Sequence, residues 1–179
     1  FGTNPIAFAA PRAEGPPLVI DLSLATVARG KIKVAAQEGK AIPKGWALDT
    51  EGKPTTEPKA AMAGTMVPMG EAKGAALVLM VEILSAALTA SLFGFEASSF
   101  FEAEGPSPDI GQLLIAISPG PLSGGQFFNR IEALITAILD QPGTRLPGSG
   151  KPALREKARK DGLTISQAVY EGLLKLREK

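Results

Sequence analysis

The run "GAALVLMVEILSAALTASLFGF", from Gly74 to Phe95, constrains this sequence most, because so long an apolar stretch must be covered by something. About 20 apolar residues suffice to cross a bilayer, but Glu82 stands near the middle of the run, Ala and Ser dilute it, and no Lys or Arg flanks its far end. A charge at that depth is costly in lipid. The run therefore reads as a buried core helix, expected from Ala72 to Ser91, and no membrane contact is expected. The difficulty then moves to Glu82. A buried carboxylate is paired or protonated, and its partner here can be a backbone group, another chain or a ligand.

Such a helix needs a core of comparable size around it. With 179 residues, 45% of them apolar and 21% charged, the chain can supply one good-sized domain. That domain is expected over residues 1–148, with residues 149–179 as a C-terminal helical segment. Net charge is +1, with one Trp, one Tyr and eight Phe. Neither a basic surface nor a base-stacking platform is indicated, so nucleic acid is not an expected partner. Cys and His are both absent. That removes disulfides, thiolate and imidazole metal sites, and a Ser-His-Asp triad within this chain. Acid–base chemistry must fall to a carboxylate, Lys or Tyr, or to a group supplied by other polypeptide. The first residue is Phe, in sequence that reads like the middle of a protein, so the chain is expected to be a fragment. The cytoplasm is the expected location.

Along the chain, "NPIAFAAP" and "PLVIDLS" read as two strands joined by the turn "RAEGPP". The stretch Leu24 to Glu38 predicts a helix with Val27, Ile32, Val34 and Ala35 on one stripe, stopped at Gly39. A Pro- and Gly-studded excursion follows, with a short strand expected at Trp46 to Leu48 and a turn at "DTEG". Beyond the central run, "FGFEASSFFEAEGPSPDIG" reads as a Phe-rich loop suited to an interface or lid. "GQLLIAIS" reads as a buried strand. "SGGQFFNRIEALITAILDQ" is an amphipathic helix, with Ser123 as N-cap and Gln126 completing a capping box. A charged helix over "ALREKARKDG" and a last one from Ser166 to Glu178, capped from Thr164, close the chain. Strands and helices mix without a βαβ rhythm, so the class is α/β in the mixed α+β sense.

Several segments could meet a ligand. "LPGSGKP" invites comparison with a phosphate-binding P-loop, but G-x4-G-K-[ST] fails in both registers. Counted from Gly143, Ser149 falls where Lys is required; counted from Gly150 and Lys151, Arg145 replaces the first Gly and Pro152 the Ser or Thr. Flexible connection and phosphate contact both remain open for Ser149, Gly150 and Lys151. No G-x-G-x-x-G follows either early strand, so the Rossmann fingerprint is absent. Asp21 and Ser23, at the end of the second strand, can meet a ligand or cap the next helix. "GEAKG" puts Glu71 and Lys73 at the mouth of the central helix, where Lys73 can hold an anion or form a solvated ion pair. Arg29 beside Gly30 can bind a carboxylate or be a surface Arg next to a packing Gly.

Read together, "FGTNPIAFAAP", "PLVIDLSLATVARGKI", "AIPKGWALDTEGKPTTEP", "MVPMGEAKGAALVLMVEILSAALT" and "GQLLIAI" resemble, in order and spacing, the malate/L-lactate dehydrogenase family that lacks a Rossmann domain. That family includes sulfolactate and ureidoglycolate dehydrogenases and piperideine-2-carboxylate reductases. The resemblance implies a non-Rossmann NAD(P)-binding domain, incomplete at its N-terminus. It implies hydride transfer between NAD or NADP and a small 2-hydroxy/2-oxo acid, or alternatively a cyclic imine. A non-catalytic binding module of the same fold is the rival reading. By matching motif, it suggests Thr3, Arg29 and Gly30 at the substrate, and Asp21, Leu22, Ser23 and Lys73 at the cofactor. Ser149, Gly150 and Lys151 are suggested at the cofactor by the loosest of these matches. The family's proton-donating His and a carboxylate-binding Arg belong to a segment upstream of Gly-Thr-Asn-Pro. This chain is therefore expected to bind cofactor weakly and turn over nothing alone. Family active sites lie near a subunit interface, so a homodimer is expected.

Overall fold

The two apolar runs flanking "RAEGPP" pair as an antiparallel hairpin in the computed structural model, which describes residues 2–102 and 105–177. Strand β1 (Ile6–Ala10) lies against β2 (Leu18–Leu22), with Ile6 opposite Leu22 and Ala10 opposite Leu18. The hairpin's inner end packs on the amphipathic helix α5 (Phe127–Leu139): Ala10, Ile131 and Ile135 are buried together, with Leu18, Phe127 and Leu146 around them. Arg12 fixes the rim, its Nε and Nη2 donating to Glu132 Oε1 at 3.1 Å and Oε2 at 2.7 Å. The Ala13 N–H adds a third bond to Oε1 at 3.2 Å.

A second cluster gathers Ala25, Val27, Ile32, Ile42, Ala47, Ala61 and Met66. It lies between helix α1 (Arg29–Glu38), helix α2 (Pro58–Ala63) and a three-stranded antiparallel sheet ordered β4-β3-β5, with β3 Ala47–Leu48, β4 Pro54–Thr55 and β5 Thr65–Met66. The expected turn is present: Asp49 Oδ1 accepts from the N–H groups of Glu51 and Lys53, both at 2.9 Å. Helix α2 is an addition to the sequence reading. Its signal is legible in "EPKAAMA", where the Glu57 carboxylate caps the Lys59 N–H at 3.1 Å and Pro58 opens the first turn.

Helix α1 starts at Arg29 rather than near Leu24. The intervening residues run antiparallel to the approach to the central helix instead. Thr26 N–H donates to Val67 O and Met69 N–H to Leu24 O, both at 2.8 Å, and Ala25 bridges Pro68. Within α1 only Ile32 is fully buried, while Val34, placed on the same stripe by the sequence, is 50% exposed.

The central run forms α3 (Glu71–Glu82) and then a π-helical turn over Ile83–Ala87, short of the expected end at Ser91. The wider turn is visible in Leu88 N–H to Ile83 O at 2.9 Å. The expectation of a helix buried all round is corrected. Only the stripe Gly74, Val78, Glu82 and Ala86 is buried, whereas Leu79, Met80, Ile83 and Leu88 are more than half exposed.

"GQLLIAIS" is likewise not a buried strand. Residues 111–118 belong to no sheet among the described residues, and Leu114 is 90% exposed. Alternation or apolarity alone cannot make a strand; its N–H and C=O groups need a neighbouring ladder. A short helix, α4 (Pro119–Ser123), follows and corrects the cap of α5. Ser123 Oγ does accept from the Phe127 N–H at 3.1 Å, but Ser123 ends α4, and Gly124 and Gly125 turn the chain at positive φ before Gln126. The Gln126 amide oxygen is engaged by Asn129 at 3.1 Å, so no capping box forms. Helix α6 (Lys151–Asp161) begins at Lys151, and α7 (Gln167–Arg177) is capped from Ser166, not Thr164, with its Oγ accepting from Val169 N–H at 3.4 Å. Glu178, the expected end of α7, lies outside the described residues, as do Phe1 and, in the Phe-rich loop, Ala103 and Glu104. The mixed α/β class holds, and every strand pairing is antiparallel among the described residues. No helix there is long and apolar enough to cross a membrane.

Candidate functional site

Four segments far apart in sequence gather along β2 and at its carboxyl end. The first is the Gly-Thr-Asn-Pro turn. The Thr3 carbonyl accepts from the Leu24 N–H at 2.8 Å and from Ser23 Oγ at 3.2 Å. Ser23 Oγ also accepts from Ala25 N–H at 3.1 Å, which closes a local turn. The reading of Asp21 and Ser23 as caps of a following helix is therefore not realised: the residue before α1 is Ala28, with no side-chain cap.

The second segment is β2 itself. Asp21 stands opposite Ala7 and Leu22 opposite Ile6, so Asp21, Leu22 and Ser23 leave the hairpin in sequence toward the Thr3 turn. The third is the mouth of α3. Because Val67 to Met69 pair with Leu24 to Thr26, the turn at Gly70 and the start of α3 are delivered beside the end of β2. Gly74 is required there: a Cβ on it would lie 1.5 Å from Met69 O, so no larger residue permits this approach. Lys73 is exposed and makes no ion pair with Glu71 among the described residues, so the solvated-pair alternative is not realised.

The fourth segment is "LPGSGKP". Leu146 packs into the hairpin–α5 cluster, Ser149 N–H donates to Leu146 O at 3.3 Å, and Lys151 N–H to Gly148 O at 3.0 Å. A Cβ on Gly148 would approach Val19 O to 3.2 Å, so the loop lies against β2. Lys151 Nζ consequently stands 3.8 Å from Asp21 Oδ2, with both side chains largely exposed. The two segments nominated separately for the cofactor are thus neighbours.

Arg29 and Gly30 are placed differently. The Arg29 guanidinium donates through Nη2 to the Met62 carbonyl at 2.6 Å, at the end of α2, where a cation complements the helix dipole. One of its five N–H donors is committed by that bond. Gly30 is exposed, and a Cβ on it would meet nothing within 4 Å among the described residues, so the alternative of a packing glycine is not realised there.

Sequence reasoning singled out Glu82 but not the residues that bind it. Glu82 is 7% exposed and accepts from Asn4 Nδ2 at 2.7 Å and from Gly94 N–H at 3.2 Å. The available signal was an Asn before Pro, which the backbone holds at φ 40. No group of His, Cys, Asp and Glu side chains suited to a metal is present among the described residues.

Known proteins resemble this chain over nearly its whole length. A protein described as (2R)-3-sulfolactate dehydrogenase (NADP(+)) from Chromohalobacter salexigens is 57% identical over 173 residues, covering 97% of this chain and 51% of that protein. A Delta(1)-pyrroline-2-carboxylate/Delta(1)-piperideine-2-carboxylate reductase from Pseudomonas aeruginosa is 43% identical over 181 residues, covering 99% of this chain and 54% of that protein. The solved delta1-piperideine-2-carboxylate reductase from Pseudomonas syringae pvar. tomato superposes with a TM-score of 0.82 at 40% identity, over 96% of this chain and 52% of that one. The chain spans about half the length of the curated relatives it matches. The malate/L-lactate dehydrogenase family model matches residues 1–174, and the chain belongs to that family.

Proposed function

We propose that this chain is the cofactor- and substrate-holding part of an NAD(P)H-dependent oxidoreductase that interconverts a small 2-oxo acid and its 2-hydroxy acid. The observation that supports this reading is the gathering around β2 of the Thr3 turn, Asp21–Ser23, the mouth of α3 that carries Lys73, and the loop of Ser149–Lys151. The donor set suits a dinucleotide. Lys73 and Lys151 offer ammonium groups to phosphate. Asp21 offers a carboxylate that can accept from ribose hydroxyls. Ser23 and Thr3 offer small hydroxyls beside them. The bound nicotinamide would supply the hydride.

The chain's own residues bind and orient. Thr3 would meet the substrate on a backbone fixed by Ser23 and Leu24. Arg29 would offer its remaining donors to the substrate carboxylate from the start of α1, beside Gly30. With no His in the sequence, the proton for the substrate oxygen is assigned to a histidine outside these residues, so the chain alone would be inactive. In the same reading residues 1–148 do the binding, residues 149–179 are a helical appendage, and the protein works as a cytoplasmic homodimer. The open apolar face of α3 supports the pairing.

Reduction of a cyclic imine carboxylate is the second reading, supported by the likeness in fold to the Pseudomonas syringae reductase. Both are tested by following NADPH and NADH oxidation by the native full-length polypeptide. The substrates are sulfopyruvate, pyruvate, oxaloacetate and Δ1-pyrroline-2-carboxylate. Turnover of an oxo acid supports the first reading, and turnover of the imine alone overturns it in favour of the second. Tight NADPH binding with no turnover of any of the four would favour the non-catalytic module.

A further inference from the structure

Glu82 is the only buried charged side chain among the described residues, and the scheme above gives it no task. It has no ion-pair partner among the described residues. Its two oxygens divide their work: Oε1 accepts from Asn4 Nδ2 at 2.7 Å, and Oε2 from the Gly94 N–H at 3.2 Å. A desolvated carboxylate is tolerable only where such donors are held on it, so Glu82 and its donors fix one another. Gly94 is shaped to this contact, since a Cβ there would lie 2.9 Å from Glu82 Oε1. Asn4 gives up something for it: its Oδ1 is buried without a hydrogen-bond partner among the described residues. Turning the amide over would direct that oxygen at the carboxylate, which electrostatics forbids.

Asn4 follows Thr3 directly, at φ 40, a conformation rare outside glycine. The Thr3 carbonyl is held from the end of β2 by Ser23 and Leu24, while the Asn4 side chain is held from α3 by Glu82. The same helix carries Lys73 near its start and Glu82 at its end, separated by ~13.5 Å at ~1.5 Å of rise per residue. We propose that Glu82 is a positioning residue: through Asn4 it sets the direction in which Thr3 faces the substrate, and α3 fixes the spacing between that turn and Lys73. This rests on the oxidoreductase reading, with Thr3 at the substrate and Lys73 at the cofactor.

The test is a charge exchange in the native full-length polypeptide. Asn4→Asp sets two carboxylates against each other. It is expected to lower kcat/KM for the preferred substrate about 10-fold or more, while the NADPH Kd, read by fluorescence, stays within about 2-fold. Adding Glu82→Gln restores the pair, because the new amide keeps its oxygen for the Gly94 N–H and offers its NH2 to the introduced aspartate. The double variant is expected to recover to within about 3-fold of wild type. Asn4→Ala removes the donor without adding charge, and serves if Asn4→Asp does not fold. It is expected to lose kcat/KM in the same direction, and Glu82→Gln should not rescue it. An active wild type with unaltered kcat/KM in Asn4→Asp or Asn4→Ala overturns the positioning role alone. So does equal loss of NADPH affinity, or a double variant as impaired as Asn4→Asp. A wild type that turns over no oxo acid or imine overturns the functional reading and the catalytic consequence of the clasp together.

Discussion

Lys151 Nζ lies 3.8 Å from Asp21 Oδ2, joining two segments that the sequence separates by most of its length. Exposed pairs of this kind contribute less than about 1 kcal/mol to stability, so losing this one costs the fold little. Lys151→Ala is expected to leave the melting temperature nearly unchanged while weakening NADPH binding several-fold, more at low salt than at high salt. Titration of NADPH fluorescence at two ionic strengths checks this. Equal affinity in the variant would remove Lys151 from the proposed cofactor site.

The approach of α3 to Met69 permits a steric prediction. Gly74→Ala would place a methyl group 1.5 Å from Met69 O, a backbone atom that cannot swing aside. The mouth of α3 must shift, with a loss of about 1–3 kcal/mol by analogy with overpacked cores. Because Lys73 is the preceding residue, NADPH affinity should fall with stability. Thermal melts and cofactor titration of one sample measure both. A variant as stable as wild type would mean that the approach is looser than this.

What the sequence made legible was local. The hairpin, α5, α6 and α7 follow from runs, periodicity and turn residues within a few positions of each other. The family motifs nominated Thr3, Asp21 to Ser23 and Lys73 together for the proposed site, which no single spacing could do. What stayed hidden was long-range pairing. Leu24 to Thr26 look helical until Val67 to Met69 claim their backbone groups. "GQLLIAIS" looks like a strand, yet no ladder receives it among the described residues. Asn4 and Arg12 bind carboxylates 78 and 120 residues away, and no periodicity reports such distances. Glu82 was conspicuous as a charge in an apolar run, but its partners were not.

The stripe assigned to α1 separates into two very different sites. Ile32 is 0% exposed, whereas Val34 is 50% exposed. Ile32→Ala should cost about 2–5 kcal/mol, through lost burial and an unfilled cavity beside Ala47 and Ala61. Val34→Ala should cost well under about 1 kcal/mol, since its removed methyl groups already face outward. Urea unfolding of the two variants decides this. Similar losses would mean that Val34 is covered in the native assembly.

The Arg12–Glu132 pair makes stability depend on acid in a predictable direction. The Arg12 guanidinium, hydrogen-bonded to both carboxylate oxygens, holds the Glu132 carboxyl below its ordinary range, and the Ala13 N–H adds to the effect. A carboxyl lowered in the folded state is ionised there at pH values where the unfolded chain has begun to take up protons. Its contribution is therefore fully present above the ordinary glutamate value of about 4.3. It is lost as pH falls through the lower folded value. Arg12, whose guanidinium is held above its ordinary range by the same partner, stays charged throughout. Glu132→Gln should melt at a lower temperature than wild type at pH 7. Its melting temperature should also fall less steeply between pH 5 and pH 3, so that the two curves approach each other in acid. Parallel curves across that window would show that the hairpin is held on α5 by the apolar contacts of Ala10, Ile131 and Ile135 without help from the ion pair.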